Sequence, residues 1–167
     1  MKKYFFFAFA FILLISCKNT PDTSLFNSNK KIAEKFISTY TSPSNPDLFK
    51  SMIDMNIEHQ SPMYGAGMVG YDKVIEQGNF YMSNFSNVSF ENARWLPGVN
   101  EETLVADGSV RVYGTWKGES NTTGKTFSVD AYHYFVIKDG KISQSGDFFD
   151  ATGMLMAVSP DAEEAVE

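Results

Sequence analysis

Cysteine is almost missing from this chain, with one residue, Cys17, among 167. A disulfide within the chain, a dithiol redox pair or a multi-thiolate metal site each needs more than that, so none is expected. An excess of positive charge is missing too. Fourteen Lys and Arg stand against twenty Asp and Glu, a formal charge of −6, and no basic cluster occurs beyond Lys30-Lys31. Affinity for nucleic acid comes mainly from neutralising phosphates, so nucleic acid is excluded as a partner. Histidine is scarce: there are two, His59 and His133, without the His-x-x-x-His or carboxylate spacing of a metal site. Neither a metal nor a cofactor is expected. The glycine-rich loop 65–70 lacks the lysine and serine or threonine of a phosphate cradle, so it reads as a turn from strand to helix. No internal repeat occurs.

A long apolar run is present in one place only. Lys2-Lys3 precedes an apolar stretch at 4–15, closed by Leu14-Ile15-Ser16-Cys17. The stretch is short for a membrane span and reads as a cleaved export signal over 1–16. The closing four residues resemble the bacterial lipobox, which implies that Cys17 is lipidated; an ordinary signal peptide or an uncleaved anchor is the alternative. Several acyl chains would hold the protein stably on the cell envelope. Lys18 in place of Asp favours the outer membrane. Residues 17–28 then read as lipidated cysteine and tether, 29–158 as a domain, and 159–167 as an acidic tail.

The remainder is rich in core material, 43% hydrophobic and 15% aromatic, which suits one compact domain. Apolar spacing predicts a helix from Ser28 or Asn29 to Tyr40. Asn45 and Pro46 start a short helix, and Asp72 is expected to cap a third with Val74, Ile75, Gly78, Tyr81, Met82 and Phe85 on its buried stripe. Strands are expected at 55–60, at 88–96 (stopped by Pro97-Gly98), at 103–116, at 127–137 and at 142–149. Asp139-Gly140 supplies the hairpin turn between the last two. Asp150-Ala151-Thr152 starts a short terminal helix. The class is α+β: three helices on one face of a strongly curved antiparallel sheet.

This order, with the segments 49–62, 70–75, 110–118 and 132–155, resembles the nuclear transport factor 2-like superfamily and within it the SnoaL-like polyketide cyclase group. The resemblance implies a cone-shaped roll with a pocket between helices and sheet, often dimeric through the sheet. It does not fix a reaction, because this fold hosts isomerases, cyclases, hydrolases, dehydratases and modules without catalysis. Against ketosteroid isomerase, Ile57-Glu58-His59 falls where that family keeps its base, His133 where it keeps an oxyanion acid, and Phe36 where it keeps an oxyanion tyrosine. Against limonene epoxide hydrolase, Asp147 matches an aspartate and Arg111 an arginine, but Tyr113 stands in place of the second aspartate. Neither constellation is complete.

Strand alternation puts Phe127, Val129, Ala131, His133, Phe135 and Ile137 on one face, with Asp130 and Tyr132 opposite. His133 is the one ionisable group on the apolar face. A two-residue turn pairs His133 with Gly146 and leaves Asp147 outside; a bulge at Gly146 would bring it in. Both arrangements are open. As an enzyme, the chain would use His59 as base, His133 as acid or oxyanion donor and Asp147 as their orienter. Tyr64, Tyr81, Tyr113, Trp116 and Phe148 would line a pocket for a small hydrophobic molecule. Isomerisation, aldol-type cyclisation, dehydration and hydrolysis all fit. The rival is a non-catalytic binding or scaffold module whose own aromatics fill the space.

Overall fold

The computed structural model describes residues 22–161. The expected export signal at 1–16, Cys17 and most of the expected acidic tail lie outside the described residues. Helix α1 is Ser24–Ser38, and it starts a turn earlier than the apolar spacing suggested. Phe26 and Asn29 are buried and extend the stripe of Ala33, Phe36 and Ile37 back by one turn. Asn29 Nδ2 donates to the Gly108 carbonyl at 2.8 Å, so a polar residue holds a core position. Residues 24–28, expected to be part of a tether, are therefore helical. Helix α2, Pro46–Ser51, is capped as expected, with Asn45 Oδ1 accepting from Leu48 N.

Strands β1 (Ile53–Gln60) and β2 (Met68–Val69) flank the glycine-rich loop, and helix α3 is Tyr71–Asn84. Gly70, not Asp72, occupies the α3 cap; Asp72 lies in the first turn, where its charge favours the helix dipole. Strand β3, Phe85–Val99, continues through Pro97-Gly98 instead of stopping there. It is the last strand of the sheet, and an edge tolerates a proline that has no N–H to offer. Strands β4 (Ala106–Ser120), β5 (Thr126–Lys138) and β6 (Lys141–Phe148) follow, then helix α4, Ala151–Val158, capped by Asp150. Asp139 and Gly140 have φ of 51° and 77°, the pair of positive values that a tight hairpin needs. Among the described residues no helix is long and apolar enough to cross a membrane.

The sheet order is β2-β1-β6-β5-β4-β3. It is mixed, not purely antiparallel: β1 lies parallel to β6, because the chain leaves β1 through α3 and reaches β6 only after the meander. Register shifts between β3 and β4, with Asn87 and Asn92 at positive φ, bend the outer strands. Two hydrophobic clusters result. One joins α1 to the sheet through Phe36, Phe49, Val110, Val112, Phe135 and Ile142. The other joins α4 to the far end through Phe85, Met154 and Val158, with Phe127 and Val129 against it.

Gly78 sits where α3 crosses the fully buried ring of Phe49, and a Cβ there would run into that ring. Alanine in a helix interior is ordinarily favoured over glycine by about 1 kcal/mol. Here the sign reverses, because Phe49 is pressed against Phe36 and Tyr40 and has no room to yield. We expect Gly78→Ala to lower stability by about 1–3 kcal/mol in urea denaturation; a stabilised variant would contradict this packing.

Candidate functional site

The inner face of the sheet brings three titratable groups together. Alternation on β5 holds as expected, so His133 is buried beside Ala131 and Phe135. His59 closes β1 and is equally buried. Asp147 arrives by a bulge, placed differently from the expected one. Ile137 pairs with Ile142, but Val136 pairs with Gln144, so Ser143 is the extra residue. From there His133 faces Asp147 and not Gly146. Gly146 serves another purpose: the Tyr134 ring lies where its Cβ would be.

A hydrogen-bond chain runs through these groups. Trp116 Nε1 donates to His133 Nε2 at 2.9 Å. An indole N–H can only donate, so His133 Nε2 accepts and the ring's proton sits on Nδ1. That proton goes to Asp147 Oδ1 at 2.7 Å. Gln77 Nε2 donates to Asp147 Oδ2 at 3.3 Å and faces His59 Nε2 at 3.4 Å. Ser61 Oγ donates to Gln77 Oε1, which fixes the direction of the amide. His59 Nδ1 pairs with Ser145 Oγ at 2.9 Å, while its Nε2 lies 3.6 Å from Asp147 Oδ2, too far for a hydrogen bond. His133 therefore has no N–H left for a substrate, against the expected acid or oxyanion role. Among the described residues no group of three or more side chains is placed to hold a metal ion.

The chain borders an inner cavity of about 70 Å³ at the junction of the two hydrophobic clusters. Its walls are mainly apolar, from Phe36 and Ile37 on α1, Val74 on α3, Phe127 and Val129 on β5 and Met154 on α4. Tyr81 and Trp116 line it as expected. Three other expected lining residues do not. Tyr64 is fully exposed in the glycine-rich loop, and Tyr113 and Phe148 stand 42% and 48% exposed on the opposite face of the sheet. The strand period sends them there: Tyr113 pairs across from Tyr132, and Phe148 likewise, both outward. A second, outer groove of about 560 Å³ lies on the far side of Gln77 and Tyr81, which border both spaces.

Sequence reading missed Gln77, Tyr40 and Ser145. Gln77 had a signal, being a polar side chain on the α3 stripe between Val74 and Tyr81. Tyr40 was placed in the core stripe, and its ring does pack on Phe36 and Phe49, but it also borders the cavity. Ser145 became an inner residue only through the bulge at Ser143.

Burial pushes the His59 imidazole below its usual 6.5; Asp147 pulls it up and His133 pushes it down. For Asp147, burial raises the carboxyl, but the charge and hydrogen bond of His133, the charge of His59 and the Gln77 hydrogen bond outweigh it. They hold the group below the usual 3.8. The site thus presents an ionised carboxylate beside a neutral His59. Both shifts are downward, so the unfolded chain binds more protons and stability falls with falling pH. The His59 contribution goes first, below 6.5, and the Asp147 contribution below 3.8. In urea midpoints we expect a decline below pH 6.5 with a slope of at most about 1.4 kcal/mol per pH unit from this one group. His59→Gln should flatten it between pH 6.5 and 5; an unchanged slope would remove His59 as the source.

Among known proteins, the family described as SnoaL-like domain matches residues 33–145, which takes in His59, Gln77, Trp116, His133 and Ser145 and ends just before Asp147. No curated protein sequence matches the chain. Solved structures do. A candidate isomerase from Bacillus subtilis superposes with a TM-score of 0.66 at 14% identity, covering 80% of this chain and 94% of its own. A candidate polyketide cyclase from Pseudomonas putida gives 0.61 at 12%, covering 77% and 96%. A phenazine biosynthesis-related protein from Pseudomonas aeruginosa gives 0.61 at 15%, covering 87% and 91%. At such identities the likeness is one of fold: an α+β roll with a curved, open, mixed sheet.

Proposed function

This chain belongs to the SnoaL-like domain family, and from that premise we propose that it binds a small hydrophobic molecule in the inner cavity and moves a proton on it without a cofactor. The observation that carries this reading is the Asp147 carboxyl group, hydrogen-bonded by His133 and Gln77 and lining a largely apolar cavity. Asp147 is the proton acceptor. Two donors fix it in place and leave further lone pairs for a substrate C–H. His133, locked between Trp116 and Asp147, positions the carboxylate. His59, hydrogen-bonded to Ser145 and with Nε2 beside Asp147, is the second proton carrier. Isomerisation, aldol-type cyclisation and dehydration share a first step, removal of a proton next to a carbonyl. The neighbours described as isomerase and polyketide cyclase fit that class.

A second reading has its own support. A cavity of about 70 Å³ is well short of the roughly 300 Å³ of a drug-sized site, as a binding or scaffold module filled by its own aromatics would have. Deuterium uptake separates the two. In D2O with a panel of small ketones, the wild type should speed exchange of the C–H protons as read by NMR. Asp147→Asn should reduce that rate by about a hundredfold or more, since a positioned base contributes about 10²–10⁴. Equal rates in both proteins would favour the scaffold.

Two proposals concern the protein's surroundings. Lipid at Cys17 would tether the domain to the envelope, in keeping with the 14–17 sequence. Pairing of two copies through the outer face of the sheet is supported by an aromatic row there, with Tyr113 and Phe148 exposed and the half-buried Tyr132 between them, 4.9 Å and 5.6 Å away between ring centroids. Tyr132→Glu should shift the described domain from dimer to monomer in sedimentation; a wild type that is already monomeric would rule the interface out.

A further inference from the structure

One end of the molecule exposes a group of aliphatic side chains. At the β3–β4 hairpin, Leu104 is 74% exposed and Val105 57%, and Val99 at the base of the turn is exposed as well. Single exposed aliphatics are ordinary, but several together mark a surface that meets something apolar. Leu104 also has a φ of 57°, a left-handed conformation that a leucine rarely adopts. The turn holds it there. Asn100 Oδ1 accepts from Glu102 N, Thr103 N and Thr103 Oγ1, and Leu104 N donates to the Asn100 carbonyl. Asn100 N donates to the Val105 carbonyl, so much of the turn's backbone is paired without water and leaves an aqueous surface at less cost. The first turn of α1 lies beside the base of the same hairpin: the exposed Leu25 packs on Gly108, and Asn29 donates to the Gly108 carbonyl.

This is also the end at which the chain enters the domain. Five residues lead from Cys17 to Asp22, the first described residue, and they span at most about 18 Å. Attachment at Cys17, or through the apolar stretch at 4–15, would hold this end of the domain close to the membrane surface. We propose that Leu104, Val105 and Leu25 enter the interface of that bilayer, so that the β3–β4 hairpin is a second point of contact and fixes the orientation of the domain. This rests on the reading of membrane attachment through the N-terminal segment and adds a lipid-facing surface to it. A few aliphatic side chains hold a bilayer weakly by themselves, but a short tether makes the contact intramolecular and raises its effective concentration. The charges around the patch choose the lipid. Glu101 and Glu102 are exposed in the turn, and the register of β4 with β5 puts the exposed Lys138 and Lys141 of the next hairpin at the same end. Both signs suit headgroups that carry both, a phosphate and an ammonium as in phosphatidylethanolamine. They lack the excess of cations that an anionic surface attracts.

Full-length protein with its native attachment, reconstituted in vesicles of phosphatidylethanolamine and phosphatidylcholine, tests this by the depth of a nitroxide spin label. One label goes on Leu104→Cys and a control on Thr122→Cys, exposed in the turn after the opposite end of β4. Wild type taken through the same labelling subtracts any signal from Cys17. Collisions with dissolved oxygen, compared with those of a water-soluble nickel chelate, should place the label at 104 about 5–10 Å into the boundary of headgroups and acyl chains. The label at 122 should stay in water. Val105→Glu added to Leu104→Cys should bring the first label out into water, with a thermal midpoint that shows the variant still folds, since Val105 is exposed. Labels at 104 and 122 equally open to the chelate would overturn the docking while leaving the attachment in place. Release of the wild type from the vesicles by alkaline carbonate would remove the attachment, and the docking with it. Shielding that grows with protein density in the membrane would assign the patch to a second copy and overturn the lipid contact. A label lying deeper in phosphatidylglycerol vesicles would overturn the choice of headgroup.

Discussion

The 2.7 Å hydrogen bond from His133 Nδ1 to Asp147 Oδ1 depends on one extra residue in β6. Without Ser143 looped out, strict pairing would set His133 against Gly146 and turn the carboxylate to the outer face. With it, an ionised group enters a cavity whose walls are largely phenylalanine, valine and methionine. Burying such a charge is costly unless it is well hydrogen-bonded. The surrounding residues meet that demand in order: Trp116 sets the His133 tautomer, His133 and Gln77 donate to the two carboxylate oxygens, and Ser61 orients Gln77. Each member has one direction in which its donor can point, so the chain is a single network and its parts are not interchangeable.

The same network explains why two histidines with equal burial have different chemical freedom. Both nitrogens of His133 are committed to protein partners. His59 has one firm partner, Ser145, and a looser environment around Nε2, with contacts of 3.4 and 3.6 Å. A proton can reach or leave Nε2 of His59 with small movements of Gln77 or Asp147. On His133 it would have to displace an indole N–H. Scarcity of histidine singles out both residues, but only the geometry separates the ring with both nitrogens committed from the ring with a loosely held Nε2.

Much of this was legible in the chain. The two faces of β5, the Asp139-Gly140 turn, the Asn45 and Asp150 caps and the α+β order follow from local periods and turn chemistry, and local rules determine them. What was not legible depends on distant partners. Nothing in Lys141-Ile142-Ser143-Gln144 marks a bulge; Ser143 loops out while Ile142 remains fully buried against the first cluster and Ser145 is needed beside His59. Gly146 invited the wrong placement, because a glycine is also used where another ring must come close, here that of Tyr134. Likewise Pro97-Gly98 would end an interior strand, and whether β3 is interior or edge is a property of the whole sheet. The fold was readable from position along the chain; the site required knowing which strands are neighbours.

The small volume of the inner cavity bears on chemistry as well as on size. Water competes for every donor and acceptor in an open pocket, whereas here the space beside Asp147 is bounded largely by apolar side chains from both clusters. In such surroundings a hydrogen bond to developing charge is worth more than in water, and so is the error of leaving it unmade. A purely structural core would have replaced these polar groups with methyl and phenyl groups at a gain in stability. Retaining a buried carboxylate and two imidazoles around one void is therefore a sustained energetic cost.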